Sequence, residues 1–96
     1  ATCMAMENNT KAAIEENFAS QIKNGDVVFR VIDISQKENE EIAEKYEVTW
    51  SSLFVVKYKN GHETSENMTE FAFGNARKSP DIFKAGVVKS VTDMLN

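Results

Sequence analysis

The sequence predicts a single α/β domain in which helices cover a mixed sheet, and three observations indicate this. Residues 27–34 are β-branched and nearly all apolar, which is typical of a strand with both faces covered. A second apolar run at 52–59 ends on Asn60-Gly61, a strong short signal for a hairpin with a type I′ turn. Around these runs, apolar residues recur at helical spacing, so strands and helices alternate along the chain.

Two helices are predicted in the first half of the chain. An apolar stripe at three- and four-residue steps, stopped by Asn24-Gly25, indicates a helix over residues 3–23. Ser35 and Glu38 fit a capping box, which predicts the start of a second helix over residues 36–46.

The second half of the chain continues with a polar return strand at 62–68, which suits the edge of a sheet. Residues 69–77 fit either a strand or a short helix, and we favour the helix. Ser79-Pro80 is a helix start, and it predicts a last helix over 79–95. Gly86 inside that helix is unfavourable by about 1 kcal/mol relative to alanine, which indicates close packing at this position.

Size and composition exclude several classes of protein. A chain of 96 residues forms one domain, with 42% hydrophobic and 27% charged residues. A net charge of −4 with a sequence pI near 5.0 argues against nucleic-acid binding, because no basic patch is present to neutralise phosphates. No apolar run has the length of a membrane span.

The few cysteine and histidine residues limit which disulfide and metal sites the chain can form. The single cysteine, Cys3, cannot form an internal disulfide, and together with the single histidine it cannot supply a tetrahedral zinc site. His62 follows Asn60-Gly61 and is best interpreted as an exposed turn residue. We therefore expect neither a metal nor another cofactor.

One longer pattern resembles a known family. Residues 32–48 read IDISQKENEEIAEKYEV, and residues 52–61 read SLFVVKYKNG. This order resembles the second half of the thioredoxin fold, in which a strand ending in aspartate precedes an "xLAxKYxV" helix, a substrate-groove loop and an "FKNG" hairpin. The match covers residues 27–63, with looser agreement in the flanking helices. It implies a thioredoxin-like three-layer α/β/α architecture with a mixed sheet.

The resemblance also implies that one strand is absent from the sequence. In the family, a strand that leads into the first helix lies at the centre of the sheet, between the positions of 27–34 and 52–59. We therefore interpret residues 1–96 as an N-terminally truncated domain. The missing strand would lie upstream, come from another chain by strand exchange with a second copy, or be replaced by direct pairing of 27–34 with 52–59. We expect the gap to be filled by a strand outside the 96 residues.

The candidate reactive residue is Cys3. The resemblance places a Cys-x-x-Cys motif at the start of the first helix, where unpaired amides favour a thiolate. Met4, Ala5 and Met6 follow Cys3, so no such motif begins there. Cys3 would instead be the second, resolving cysteine, with the attacking cysteine before Ala1. The alternative is an inert, semi-buried thiol, the commonest state of an isolated cysteine.

The candidate substrate-binding residues are Thr49, Trp50, Ser51 and Ser52. The family carries a cis-proline in this loop that faces the redox motif, and Ser52 stands at its position here. The resemblance therefore implies that Cys3 lies beside the groove formed by residues 49–52. Because a cis bond before a non-proline residue costs about 2.5–4 kcal/mol, we expect this bond to be trans. Trp50 is either a recognition aromatic or a packing residue, and packing is favoured by the usual burial of tryptophan.

The function implied by the resemblance is thiol–disulfide exchange on protein disulfides, with Cys3 resolving. The alternative is a redox-inactive thioredoxin-like module that binds a protein partner through the same loop. Either way the expected partner is a protein, with no nucleic acid and no membrane span. Because the sequence starts at Ala1 without an initiator methionine, we favour a bacterial periplasm or cell envelope over the cytoplasm.

Overall fold

The structure, a computed structural model, describes residues 2–96, which contain helices and one antiparallel hairpin. The chain is therefore of mixed α/β class, as predicted. The α-helices are α1 (Thr2–Asn17), α2 (Ala19–Asn24), α3 (Glu40–Lys45), α4 (Thr69–Asn75) and α5 (Pro80–Leu95). The strands are β1 (Phe54–Lys59) and β2 (His62–Asn67), and a short 3-10 helix at Lys37–Asn39 precedes α3.

The helix predicted over 3–23 is interrupted, so that α1 and α2 replace it. Phe18 at the junction has φ −129° and ψ 30°, outside the helical region. The side-chain amide of Asn17 donates a hydrogen bond to the Ala13 carbonyl over 2.8 Å. Asparagine side chains compete with the backbone in this way, which accounts for the interruption. Gly25, at φ 84°, ends α2 as the Asn24-Gly25 stop predicted.

The strand predicted over 27–34 is wrong. Residues 28–33 have no regular secondary structure, and in residues 2–96 no backbone hydrogen bond joins 28–34 to 53–59. A strand exists only when its amides and carbonyls have a ladder partner, and this apolar run has none. The predicted three-stranded mixed sheet is accordingly a two-stranded antiparallel sheet.

The helix predicted over 36–46 is shorter than expected. The capping box does not form, because the Ser35 hydroxyl donates to the Asp33 Oδ1 atom over 2.6 Å and the amide of Ser35 donates to the same oxygen over 3.0 Å. These two hydrogen bonds hold the pKa of the Asp33 carboxyl below its usual value. The regular α-helical part begins only at Glu40.

The hairpin predictions are confirmed, with strand ends shifted by one or two residues. Asn60 and Gly61 both have positive φ, 53° and 77°, as a type I′ turn requires. The register pairs Lys59 with His62 and Phe54 with Asn67. The main-chain bond from the Met68 amide to the Leu53 carbonyl, 2.8 Å long, extends the ladder by one residue.

The two faces of the hairpin contact different helices. Val55 packs against the core cluster, and on the same face the Ser90 hydroxyl of α5 donates to Glu66, which pairs with Val55. The opposite face meets the end of α3, where the rings of Tyr46 and Phe54 lie 5.1 Å apart. Alternate residues of a strand point to opposite faces, so the two contacts follow directly from the register.

The core is built by α1, α4 and α5, and the helices predicted over 69–77 and 79–95 are confirmed. Phe83 is fully buried and stacks on Phe71 at a ring separation of 6.0 Å. The Phe71 ring also covers Gly86, where an added Cβ atom would lie only 2.6 Å from the ring atom Cε2. The close packing predicted at Gly86 is therefore present.

Candidate functional site

Cys3 lies in the first turn of α1, on the surface of the molecule. Its Sγ atom is 2.9 Å from the hydroxyl oxygen of Ser51, 48 positions later in the chain. The α1 N-terminus and the loop that leads into β1 are thereby brought together at one place. Of the predicted site residues, these two are in direct contact; their functional roles stay predictions.

The loop at 49–52 is held in position from both sides. Before it, Glu47 adopts a left-handed conformation, with φ 56°, and the Val48 amide donates to the Ala43 carbonyl over 2.9 Å. This arrangement ends α3 and turns the chain towards the hairpin. After the loop, the Leu53 amide donates to the Thr69 hydroxyl over 3.0 Å, which fixes the loop to the start of α4.

The peptide bond before Ser52 is trans, as expected, because residues 2–96 contain no cis peptide bond. The Ser52 hydroxyl donates to the Trp50 carbonyl over 3.1 Å and so closes a tight local turn. This internal hydrogen bond takes up the carbonyl of Trp50, and the Leu53 amide is already bonded to Thr69.

Trp50 is exposed, with 69% of its surface accessible, so the packing interpretation favoured for it is wrong. Its ring centroid lies 6.1 Å from that of Phe73, which is itself 44% accessible. Aromatic pairs at this separation attract each other weakly, yet here both rings also face water. Phe73 was not predicted from the sequence as a site residue. The alternation of Phe71 and Phe73 was the available signal, since a helix over 69–77 points one ring inward and the other outward.

Polar side chains tie the end of α3 to the hairpin and so position the loop that follows. Lys45 contacts Glu63 at 2.8 Å, and the Tyr46 hydroxyl donates to the same carboxylate over 3.1 Å. The Tyr46 and Tyr58 hydroxyl oxygens are 3.3 Å apart. The ammonium of Lys45 keeps the pKa of Glu63 below its usual value, and the carboxylate in turn raises the pKa of Lys45. The hydrogen bond with Tyr58, partial burial and Glu63 together raise the pKa of Tyr46.

The site offers no donor set for a metal. Within the described part of the chain, no group of three or more histidine, cysteine, aspartate or glutamate side chains is placed to hold an ion. His62 is exposed at the hairpin turn. Among residues 2–96 there is also no helix whose length and apolar character together would let it cross a membrane.

The arrangement can do two things chemically. An accessible thiol beside a hydroxyl group can exchange with a disulfide that reaches it, and the hydroxyl can donate a hydrogen bond to the thiolate. The exposed Trp50 and Phe73 rings can contact an apolar side chain of a partner.

Comparison of the chain with protein-family models, with curated proteins and with solved structures found no match in any of the three.

Proposed function

We propose that the chain is a thioredoxin-like thiol–disulfide oxidoreductase domain that acts on protein disulfides, with Cys3 as the resolving cysteine. The observation that carries the proposal is the 2.9 Å contact between Cys3 and Ser51. In the resembling family, the redox motif at the first helix faces the loop before the third strand. Contact between positions 48 residues apart is the arrangement that this resemblance requires.

The layer arrangement supports the same proposal. The hairpin has α5 against the Val55 face and the end of α3 against the Phe54 face. Helices on both sides of a sheet are the basis of a three-layer α/β/α fold. We propose that the sheet of the complete fold is thioredoxin-like.

The proposed reaction is a two-electron exchange. The attacking cysteine, which the resemblance places immediately before Ala1, forms a mixed disulfide with one substrate sulfur and releases the other as a thiolate. The Cys3 thiolate then attacks the mixed disulfide and releases the second substrate thiolate. The substrate disulfide is reduced to two thiols, and the domain is oxidised to an internal disulfide. Ser51 would hydrogen-bond to the Cys3 sulfur.

A second function is a redox-inactive module that binds a protein partner at the same loop. The exposed Trp50 and Phe73 pair favours it, because paired aromatic rings that face water are typical of binding surfaces. Ser52 in place of the family's proline also favours it, since ordinary substrate pairing depends on that proline.

The residue that precedes Ala1 in the parent polypeptide separates the two functions. Cysteine there supports the oxidoreductase, and any other residue favours the binding module. With that cysteine present, Cys3→Ser is expected to trap mixed disulfides with substrate proteins, visible as reducible adducts on gels. A Cys3→Ser protein that still completes the reduction of a substrate disulfide would contradict a resolving role.

The contact with Ser51 can be tested in the 96-residue chain itself. The rate at which Cys3 forms a mixed disulfide with oxidised glutathione is measured by mass spectrometry. Loss of one hydrogen bond to the thiolate in Ser51→Ala is expected to slow the exchange roughly three- to tenfold. Ser20→Ala, on the exposed surface of α2, is the matched control and should leave the rate unchanged. Equal rates in all three proteins would show that Ser51 does not assist the thiol.

A further inference from the structure

The chain contains two Asn-Gly pairs, Asn24-Gly25 and Asn60-Gly61, and a lysine precedes each of them. In both pairs the asparagine and the glycine are exposed. Nothing lies within 4 Å of the position that a Cβ atom on either glycine would take. The preceding residue, the access of water and the local space are therefore matched, and a difference in the chemistry of the two pairs must come from the backbone that carries them.

An Asn-Gly pair is reactive because the glycine amide can attack the carboxamide of the asparagine side chain. Glycine has no Cβ atom to hinder the approach of its nitrogen. The amide nitrogen gives up its proton to the solvent and bonds to Cγ, and the carboxamide nitrogen leaves as ammonia. Water then opens the five-membered succinimide ring at one of its two carbonyls, which yields aspartate or isoaspartate. In total, one water is consumed and one ammonia is released, and no electron is transferred.

The amide of Gly25 is held at the end of α2. It donates to the Ile22 carbonyl over 3.1 Å, and the next amide, that of Asp26, donates to the Gln21 carbonyl over 2.8 Å. Asn24 is itself the last helical residue. Ring closure at this pair must break the end of the helix, because the attacking nitrogen is engaged in the hydrogen bonds that cap it.

The amide of Gly61 is not engaged in this way. Asn60 and Gly61 are the two central residues of the hairpin turn, and within residues 2–96 the Gly61 amide donates to no other backbone group. The flanking pair, Lys59 and His62, carries the ladder instead. Ring closure at this pair therefore requires only local motion at an exposed turn.

We propose that Asn60 is a site of spontaneous modification in the folded protein, and that the fold protects Asn24. At Asn60, attack by the Gly61 amide forms a succinimide that hydrolyses to aspartate and isoaspartate. Water is the only other reactant. This inference does not depend on the chemistry of Cys3.

Isoaspartate changes the hairpin more than aspartate does. It routes the main chain through the former side chain, which adds one methylene carbon between residue 60 and Gly61. A type I′ turn is formed by two residues of ordinary backbone, and the turn sets the register of the strands. The pairs next to the turn are affected first, among them Tyr58 with Glu63. Glu63 contacts Lys45 at 2.8 Å, so the modification loosens the contact between the hairpin and α3.

The site is tested by incubating the 96-residue protein in mildly alkaline buffer. Proteolytic digestion and mass spectrometry then give the deamidation rate at each asparagine. Asn60 is expected to react roughly tenfold or more faster than Asn24, since the Gly25 amide must first leave its hydrogen bond. Equal rates in the folded protein, or a faster rate at Asn24, would overturn the proposal.

Concentrated urea provides the control, because both pairs are then part of an unfolded chain. The two rates should become similar in urea, since a lysine precedes each pair. A preference for Asn60 that is as large in urea as in the folded protein would also overturn the proposal, because the sequence rather than the fold would then set the rates.

The effect on the hairpin is tested on the isoaspartate form, separated by chromatography, with Asn60→Asp as the matched control. Asn60→Asp carries the same added charge without the extra backbone carbon. Hydrogen exchange at the amides of Lys57 and Thr64, a pair in the ladder, is expected to be at least tenfold faster in the isoaspartate form. Equal exchange in the two proteins would show that the turn accommodates isoaspartate, and would refute the proposed loosening of α3.

Discussion

The domain has two halves that differ in how completely they are packed: a helical half, formed by residues 2–18 and 68–96, and a middle half, formed by residues 19–67. Every buried residue lies in residues 2–18 or 68–96, and none lies between 19 and 67. Yet the middle half carries the apolar runs 27–34 and 52–59, which have the composition of core strands. Apolar sequence is therefore not sufficient for burial. The helices bury their stripes because a partner helix is present, whereas the backbone of residues 28–32 has no hydrogen-bond partner in the described chain and β1 is paired on one side only.

The largest expected difference between the halves comes from removing one aromatic ring in each. Phe83→Ala should reduce the free energy of unfolding by about 3–5 kcal/mol, because the ring is fully buried and stacked on Phe71. Phe29→Ala should cost only about 1–2 kcal/mol, because Phe29 is half-exposed beside an unpaired backbone. Urea denaturation measures both. Equal losses would show that the middle half is as well packed as the helical core.

Close packing in the helical half can be tested with two glycines. Gly86→Ala should destabilise by about 1–3 kcal/mol, because the added methyl group collides with the Phe71 ring. Gly74→Ala is the matched control: nothing lies within 4 Å of its Cβ position, so the better helix propensity of alanine should stabilise α4 by up to about 1 kcal/mol.

A double-mutant cycle tests whether the collision with Phe71 is what makes Gly86→Ala destabilising. If the collision is the cause, Phe71→Leu should make the Gly86→Ala substitution less costly, since a shorter side chain leaves room for the methyl group. Thermal unfolding of the four proteins of the cycle gives the coupling. Additive effects would mean that Gly86 is required for a reason other than Phe71.

The difference between the two halves also explains which elements could be predicted from the sequence. Periodicity located α4 and α5, and turn chemistry located the hairpin at Asn60-Gly61, because these signals are local. The strand at 27–34 failed because a strand requires a partner elsewhere, which no local pattern reveals. The approach of Cys3 to Ser51 was expected only from the thioredoxin-like order of elements. The exposure of Trp50 was not expected, because composition alone favours its burial.

The contact between α3 and the hairpin should depend on pH at both ends of the scale. The pKa of Glu63 is lowered in the folded protein, so its contribution is present above the unfolded value near 4.5 and is lost as pH falls through the lower, folded value. The pKa of Tyr46 is raised, so its contribution is present below the unfolded value near 10.0 and is lost as pH rises further. Both losses should be small, because the cluster lies at the surface.

Two variants distinguish the contribution of Glu63 at acid pH from that of Tyr46 at alkaline pH. Stability is measured by urea denaturation across the pH range, relative to the wild-type protein. Glu63→Gln should flatten the acid side of the profile, and Tyr46→Phe should flatten the alkaline side. If Glu63→Gln leaves the acid side unchanged, other carboxylates account for the acid dependence, and the attachment of α3 to the hairpin does not rely on Glu63.

The smallest expected effect concerns the backbone at the end of α3, in the loosely packed half. Glu47 has φ 56°, a conformation that costs a residue with a side chain about 1–2 kcal/mol and costs glycine little. Glycine gains entropy in the unfolded chain, which offsets part of that relief. Glu47→Gly should therefore stabilise by no more than about 1 kcal/mol, whereas Glu44→Gly, within α3, should destabilise by about 1 kcal/mol. Thermal unfolding of both variants measures the difference. Destabilisation by Glu47→Gly would mean that the Glu47 side chain, rather than its backbone, sets the turn towards the loop at 49–52.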